Sequence, residues 1–115
     1  MTNRSAATGP KVVHNVYFTL QNASEAAQRA LLDACHKYLK NHPGVEFFAA
    51  GTLVPDLQRP VNDRQFHVGL HVVFRDRRAH DDYQQSESHL RFIEENKPNW
   101  KQVRVFDSYV EQPTP

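Results

Sequence analysis

The chain has 115 residues, the usual size of one domain, and its 39% apolar and 23% charged residues are typical of a globular rather than a disordered protein. Fourteen basic and thirteen acidic side chains leave a net charge of +1, which gives no support for a nucleic-acid or membrane partner. No segment is apolar for long enough to span a membrane, and we expect no secretion signal in the first ten residues.

The chain has a single cysteine, Cys35, so an intrachain disulfide is excluded. Because it falls among apolar residues of a helical pattern, we expect a small core residue rather than a reactive thiol. This composition suits a reducing compartment, and we expect the protein in the cytoplasm. We interpret residues 1–10 and 111–115 as short tails on either side of one domain at 11–110.

The first predicted element is a strand over residues 11–20. Apolar residues alternate there with polar or smaller ones, which is the period of a strand with one buried face. That face contains one polar residue, His14; its other members are Val12, Val16, Phe18 and Leu20.

A helix follows. Asn22 and Glu25 have the spacing of a capping box, which predicts that the Asn22 side chain caps the first turn. The helix is expected to end at His42-Pro43-Gly44, because proline disfavours helical backbone in the residue before it. Its apolar stripe consists of Ala27, Ala30, Leu31, Ala34, Cys35, Tyr38 and Leu39.

Two strands are predicted next, over 45–54 and 66–74, with a long polar loop at 55–65 between them. In the second of these strands, His67, Gly69, His71 and Val73 alternate with an apolar set: Phe66, Val68, Leu70, Val72 and Phe74. We expect that apolar set to face the helices.

Two short helices and a last strand complete the pattern. Asp76 is expected to cap a helix that runs to Tyr83, and Ser86 a second one that ends at Lys97-Pro98-Asn99. The second helix should turn Leu90, Phe92 and Ile93 inward. Residues 100–108 form the fourth strand. The order β-α-β-β-α-β, with the second crossover split in two, predicts an α+β ferredoxin-like fold with a four-stranded antiparallel sheet.

The face of this sheet that points away from the helices is partly apolar. It carries Val13, Asn15, Tyr17, His67, Gly69, His71 and Val73. A second copy laid sheet against sheet would cover these side chains and protect the edge strands, so we expect a homodimer. Antiparallel sheets can also keep one face in water, and a monomer stays open as the alternative.

Five local patterns in this order resemble the stress-responsive α/β-barrel (Dabb) family over residues 11–109: VVHNVYFTL, HPGVEFFAAGT, GLHVVFRDRRAHDDY, SHLRFI and WKQVRVFDS. The resemblance implies a dimeric α/β barrel. In olivetolic acid cyclase, a member of that family, a tyrosine and a histidine six residues later line the site, and these positions correspond to Tyr83 and His89. A further histidine of its first strand corresponds to His14. Val68 stands where that cyclase has a histidine in strand three.

The resemblance therefore implies a site made of His89, Tyr83 and His14. In it His89 would take or give a proton, Tyr83 would hold a carbonyl oxygen, and His14 would tune or orient them. From the residues alone His14 is better explained as a hydrogen-bonded core histidine, and it is the resemblance that makes the site equally plausible. For the other two, the alternative is that His89 caps the helix start and Tyr83 fills the core with its hydroxyl in water. Tyr83 and His89 lie on either side of a helix break at Ser86, and this break is needed to bring them together.

No metal or cofactor site is expected. His67 and His71 lie about 13 Å apart along one strand, too far to bind one ion in the same chain, and they are expected inside the dimer. The sequence contains no glycine-rich phosphate loop, Ser-His-Asp order or CxxC motif.

These observations favour a protein that binds a small apolar or aromatic molecule in a pocket between sheet and helices. Three alternatives stay open. The first is a cofactor-free cyclase, lyase or isomerase that acts next to a carbonyl. The second is a non-catalytic, stress-associated dimer. The third is a cofactor-free monooxygenase, which rests on fold analogy alone.

Overall fold

The computed structural model describes residues 9–111. Most of the two expected tails, residues 1–8 and 112–115, lies outside this range. Four strands form one antiparallel sheet in the order β2-β3-β1-β4. They are β1 (Lys11–Leu20), β2 (Val45–Thr52), β3 (Val68–Phe74) and β4 (Trp100–Val110). The two strands at the centre of the sheet, β1 and β3, are therefore those with the strongest alternation in sequence.

Three helices connect the strands. They are α1 (Glu25–Leu39), α2 (Arg77–Gln85) and α3 (Glu87–Asn96), and a 3₁₀ turn at Lys97–Asn99 leads from α3 into β4. This confirms the predicted ferredoxin-like α+β fold with a split second crossover. Within the described range, no helix is both long and apolar enough to cross a membrane.

The core lies between one face of the sheet and the helices. Along β1 every second residue is buried, as the alternation predicted, and Phe18 is 1% exposed. On this face His14 is also buried, at 4% exposure. Cys35 is fully buried in α1, and burial raises the pKa of its thiol to about 12, so it is the inert core residue that was expected. Each large apolar side chain buried here stabilises the fold by about 1.5–3 kcal/mol.

The N-terminal cap of α1 differs from the prediction. Ser24, not Asn22, is the cap, and its hydroxyl accepts the Ala27 N–H at 3.1 Å. Asn22 instead accepts the N–H of Ser24 at 3.1 Å. Both residue types can cap a helix, and Ser24 does so because it directly precedes the first helical residue.

The long connection between β2 and β3 is larger than predicted, since β2 ends at Thr52 and β3 begins only at Val68. Phe66 consequently lies outside the strand and packs against Tyr17, on the sheet face away from the helices, with ring centroids 4.8 Å apart. The prediction that Phe66 faces the helices was wrong. His67 also precedes the strand, and its Nδ1 accepts the Leu20 N–H at 3.0 Å.

The two caps predicted for α2 and α3 are confirmed. Asp76 accepts the Ala79 N–H at 2.9 Å, and Ser86 accepts the His89 N–H at 3.2 Å. The prediction that Leu90 points inward was wrong, because Leu90 is 56% exposed whereas Phe92 is 2% exposed. Two residues on a helix differ by about 200°, so Leu90 and Phe92 cannot share a face.

The turn that ends α1 is packed directly against α2. Gly44 has a φ of +89°, and a Cβ at this position would lie 2.4 Å from the Ala79 Cβ. Only glycine fits both the backbone angle and the space. The contact fixes the position of α2, the helix that carries Tyr83.

Candidate active site

A cleft of about 340 Å³ lies between β1 and β4 on one side and α2 and α3 on the other. The three side chains expected to form a site, His14, Tyr83 and His89, all line it. The rest of the wall is mainly apolar and includes Val16, Phe18, Leu70, Phe92, Val103 and Val105. The volume is at the lower end of the range of small-molecule pockets, about 300–1,000 Å³.

Tyr83 and His89 meet because the helical region breaks at Ser86. α2 ends at Gln85, and Ser86 has extended backbone, with φ −66° and ψ 150°. The Ser86 hydroxyl donates to the Tyr83 carbonyl at 2.9 Å and accepts the His89 N–H at 3.2 Å. The break lets the two rings come together, with centroids 4.8 Å apart.

The cleft concentrates buried polar atoms that lack a partner. Among the described side chains, four buried nitrogen or oxygen atoms have no hydrogen bond, and three of them belong to residues that line this cleft. These three are the Tyr83 hydroxyl oxygen, His89 Nδ1 and Trp100 Nε1. A buried polar atom without a hydrogen bond destabilises a fold by about 1–3 kcal/mol, so a group of three in one place indicates a binding site.

Burial also keeps Tyr83 and His89 uncharged. Burial, and to a lesser extent the Cys35 thiol nearby, raises the pKa of Tyr83 well above its ordinary value. Burial, followed by the nearby His14, lowers the pKa of His89 to about 4, although the Gln84 backbone opposes this shift. At neutral pH His89 is therefore a neutral imidazole and Tyr83 a neutral phenol, both able to donate or accept a hydrogen bond.

His14 is held by a carboxylate across the sheet. It pairs with Asp107 in the β1–β4 register, and its Nδ1 lies 2.5 Å from the Asp107 Oδ1. Burial lowers the pKa of His14, and the hydrogen bond to Asp107 partly offsets this. Because the carboxylate accepts the proton on Nδ1, Nε2 is the nitrogen left with a lone pair.

Asp107 and His80 are residues of this region that the sequence did not predict. The His80 ring lies edge-on to His14, with centroids 5.2 Å apart, and its Nδ1 donates to Asp81 at 2.9 Å. One signal for His80 was available, because it precedes Tyr83 by three residues and such neighbours share a helix face. The expectation of no metal site did not consider His80 and Asp107, which together with His14 offer one ligand atom each, all within 4.8 Å of one another.

Two other expectations concern residues outside the cleft. Val68, the position at which the cyclase has a histidine, is fully buried in the core and does not line the cleft. His71 lies on the opposite face of the sheet, as expected, and its Nδ1 donates to the Asn15 side chain at 2.8 Å.

Solved structures similar to this chain share its ferredoxin-like fold. A Dabb family protein from Mesorhizobium loti is 25% identical, with a TM-score of 0.74, and the match covers 91% of this chain and 100% of that one. A dimeric ferredoxin-like protein of unknown function from Thermobifida fusca is 13% identical, with a TM-score of 0.75 and coverage of 96% and 100%. A hydroxynitrile lyase from Passiflora edulis is 22% identical, with a TM-score of 0.69 and coverage of 94% and 100%.

The likeness to the Thermobifida and Passiflora proteins is one of fold alone. No curated protein matches the chain at a significant level. The model of the stress responsive A/B barrel domain, Dabb, matches residues 12–110, from the second residue of β1 to the last of β4, and the chain therefore belongs to the Dabb family.

Proposed function

We propose that this Dabb protein binds a small, mainly apolar or aromatic carbonyl compound in the cleft and catalyses proton transfer next to the carbonyl group. The observation that carries the proposal is the set of three unpaired, buried polar atoms of Tyr83, His89 and Trp100 in one apolar cleft. A ligand with one or two polar atoms on an apolar body would satisfy these atoms and exclude water from the wall.

The Tyr83 hydroxyl is the proposed donor to the carbonyl oxygen. A phenol that burial keeps neutral retains its proton at neutral pH, and it stabilises negative charge that develops on an oxygen. Removing one such donor typically lowers the rate by about 10²–10³-fold.

His14 is the proposed proton acceptor. The sequence interpretation gave this role to His89, but of these two only His14 has a carboxylate partner, Asp107, to hold its ring in one tautomer and to stabilise the imidazolium. His89, whose Nδ1 has no partner, is proposed to hydrogen-bond the ligand beside Tyr83. The class of reaction is then a cofactor-free lyase, cyclase or isomerase step, and the Passiflora neighbour shows that this fold can carry a lyase.

We also infer that the working form is a homodimer, in the cytoplasm. The sheet face away from the helices exposes Phe47 and Phe106, at 55% and 52%, and the similar structure from Thermobifida fusca is dimeric. A buried, unreactive cysteine is compatible with a reducing compartment.

The test uses acetophenone as the probe, because exchange of its methyl hydrogens for deuterium in D₂O requires only proton transfer next to a carbonyl. The protein is expected to accelerate the exchange, followed by NMR, above the rate in buffer. Tyr83→Phe should slow the catalysed exchange by about 10²-fold, because it removes the proposed donor. Quenching of Trp100, the single tryptophan of the chain, reports binding of the probe separately.

Tyr38→Phe is the matched control. The Tyr38 hydroxyl donates to Glu95 at 2.7 Å, outside the cleft, so its loss should lower the free energy of unfolding by about 1 kcal/mol and leave exchange unchanged. Tyr83→Phe removes an unpaired hydroxyl and should not destabilise the protein. Equal exchange rates for wild type and Tyr83→Phe, or no catalysed exchange and no quenching in the wild type, would contradict the proposal.

A further inference from the structure

We propose that His14, His80 and Asp107 form a binding site for a divalent transition-metal ion of the zinc type. The three residues come from β1, α2 and β4, and each brings one ligand atom to a common point, with no two of these atoms more than 4.8 Å apart. The site goes beyond the proposed carbonyl chemistry, and its existence does not depend on that chemistry.

The ligand set has the chemistry that such an ion prefers. Two imidazoles and one carboxylate are the protein ligands of many open zinc sites, in which a water or substrate occupies the fourth position. Imidazole nitrogen selects Zn²⁺, Ni²⁺ and Cu²⁺ over Mg²⁺ and Ca²⁺, which prefer oxygen ligands alone. The His14 ring is buried and the His80 side chain is only 16% exposed, so both imidazoles are already partly withdrawn from water.

His80 is oriented as metal-binding histidines usually are. Its Nδ1 donates to Asp81 at 2.9 Å, and Asp81 in turn accepts from Arg77 Nε at 2.8 Å. A carboxylate on one ring nitrogen fixes the tautomer, so the lone pair of His80 is on Nε2, the nitrogen available to an ion. This chain from Arg77 through Asp81 to His80 is a feature of the fold that the proposed proton transfer does not use.

The site is accessible from two sides. A second cavity, of about 270 Å³, lies next to the cleft and is lined by Val12, Arg77, His80, Asp107, Ser108 and Tyr109. His80 and Asp107 line both cavities and therefore stand at the place where the two meet. An ion here would have an entry path and room for a water ligand.

Binding requires only small movements. Ligand bonds of about 2.0–2.1 Å in a tetrahedron place the ligand atoms about 3.3 Å apart, so the 4.8 Å spread must contract while the 2.5 Å contact between His14 and Asp107 opens. The Asp107 side chain is 45% exposed and can rotate to allow this. The ion would take the place of the proton on His14 Nδ1, and that proton would move to Nε2 as the ring changes tautomer. His14 would then have no free lone pair, and the proposed proton transfer would be blocked.

The test is isothermal titration calorimetry of metal-free, untagged full-length chain with ZnCl₂. Wild type should bind one Zn²⁺ per chain, and His80→Asn should weaken binding at least tenfold because one ligand is lost. His36→Asn is the matched control, since it changes an exposed histidine of α1 in the same way. Asp81→Asn keeps all three ligands but removes the carboxylate behind His80, and it should weaken binding by about 10–100-fold.

The Asp81 variant also decides the question if His80→Asn, checked by circular dichroism, does not fold. Zinc affinity unchanged in His80→Asn or Asp81→Asn, or no binding by the wild type at micromolar zinc, would overturn the proposal. Calorimetry with the ion alone does not involve the carbonyl probe. If the protein catalyses hydrogen exchange in acetophenone but does not bind zinc, only the proposed metal site is contradicted. If it binds zinc but does not catalyse the exchange, only the proposed function is contradicted.

Discussion

His89 lies where its charged form is disfavoured. Its ring is partly buried against Tyr83, and burial together with the nearby His14 lowers its pKa from 6.5 to about 4. In the unfolded chain the same imidazole has its ordinary pKa of about 6.5. Between these two values the unfolded chain binds a proton that the folded protein does not, and protonation therefore favours unfolding.

The free energy of unfolding should consequently fall as the pH is lowered from 6.5 toward 4 and should be unaffected by His89 above that window. The full shift corresponds to about 3 kcal/mol, and the partial exposure of the ring reduces the expected effect to about 1 kcal/mol. In His89→Gln this part of the fall should disappear, as measured by urea denaturation at a series of pH values. His36→Gln, on the exposed side of α1, should keep the wild-type fall. A His89→Gln profile parallel to that of the wild type would rule the explanation out.

At the scale of single residues, part of the candidate site was predictable from the sequence. The strand alternation put His14 on the buried face, and the spacing of Tyr83 and His89 marked them, although only with the help of a family resemblance. Asp107 could not be found in the same way. It lies 93 residues from His14, and which residue of β4 lies opposite depends on the strand register, which alternation alone does not define.

The second crossover is the element that creates the cleft. Ser86 ends α2 and starts α3, and its single hydroxyl joins the Tyr83 carbonyl to the His89 N–H. A serine that caps a helix usually stabilises that helix alone. Here the same two hydrogen bonds also set the angle between the helices and hence the distance between the two rings.

Ser86→Ala should therefore have two effects. Loss of the cap should lower the free energy of unfolding by about 1 kcal/mol. Without this hydroxyl the angle between α2 and α3 is no longer fixed, and Tyr83 and His89 are no longer held together. Binding of acetophenone, measured by Trp100 fluorescence, should therefore also weaken. Ser24→Ala removes the equivalent cap of α1, with a similar bond to Ala27, and is the control. It should show the stability loss without the binding loss, and identical binding losses in both variants would assign the effect to general destabilisation.

The elements themselves were largely predictable from sequence. Cap residues followed by apolar periodicity placed all three helices, and the error at the start of α1 occurred where two residues of similar type compete. Asn22 and Ser24 can both cap a helix, and only the position of the first helical turn decides between them. Phe66 continues the alternation of β3 in sequence, yet the Thr19 hydroxyl of β1 donates to the Gln65 carbonyl just before it, and Phe66 packs against Tyr17 on the other face.

At the scale of the whole molecule, the open question is what covers the sheet face that points away from the helices. Two aromatic residues on the edge strands, Phe47 in β2 and Phe106 in β4, are more than half exposed there. Phe106 packs against Tyr17 with ring centroids 6.0 Å apart, so it is not an isolated surface residue but part of an aromatic cluster that extends from the edge strand β4 onto the central strand β1. Exposed apolar clusters of this kind on a sheet are typical of subunit interfaces.

If two copies pack through this face, a charge at Phe106 should prevent it. Burying an unpaired carboxylate in an apolar interface costs several kcal/mol, more than a small interface can compensate. Phe106→Glu should therefore sediment as a monomer at concentrations where the wild type sediments at twice the mass. Leu90→Glu introduces the same charge at a residue of similar exposure, 56% against 52% for Phe106, on the outer side of α3, and it should remain dimeric. A dimer that survives Phe106→Glu but not Leu90→Glu would place the interface elsewhere, and a monomeric wild type would show that there is no interface. In either case the sheet face would be one that this fold leaves in water.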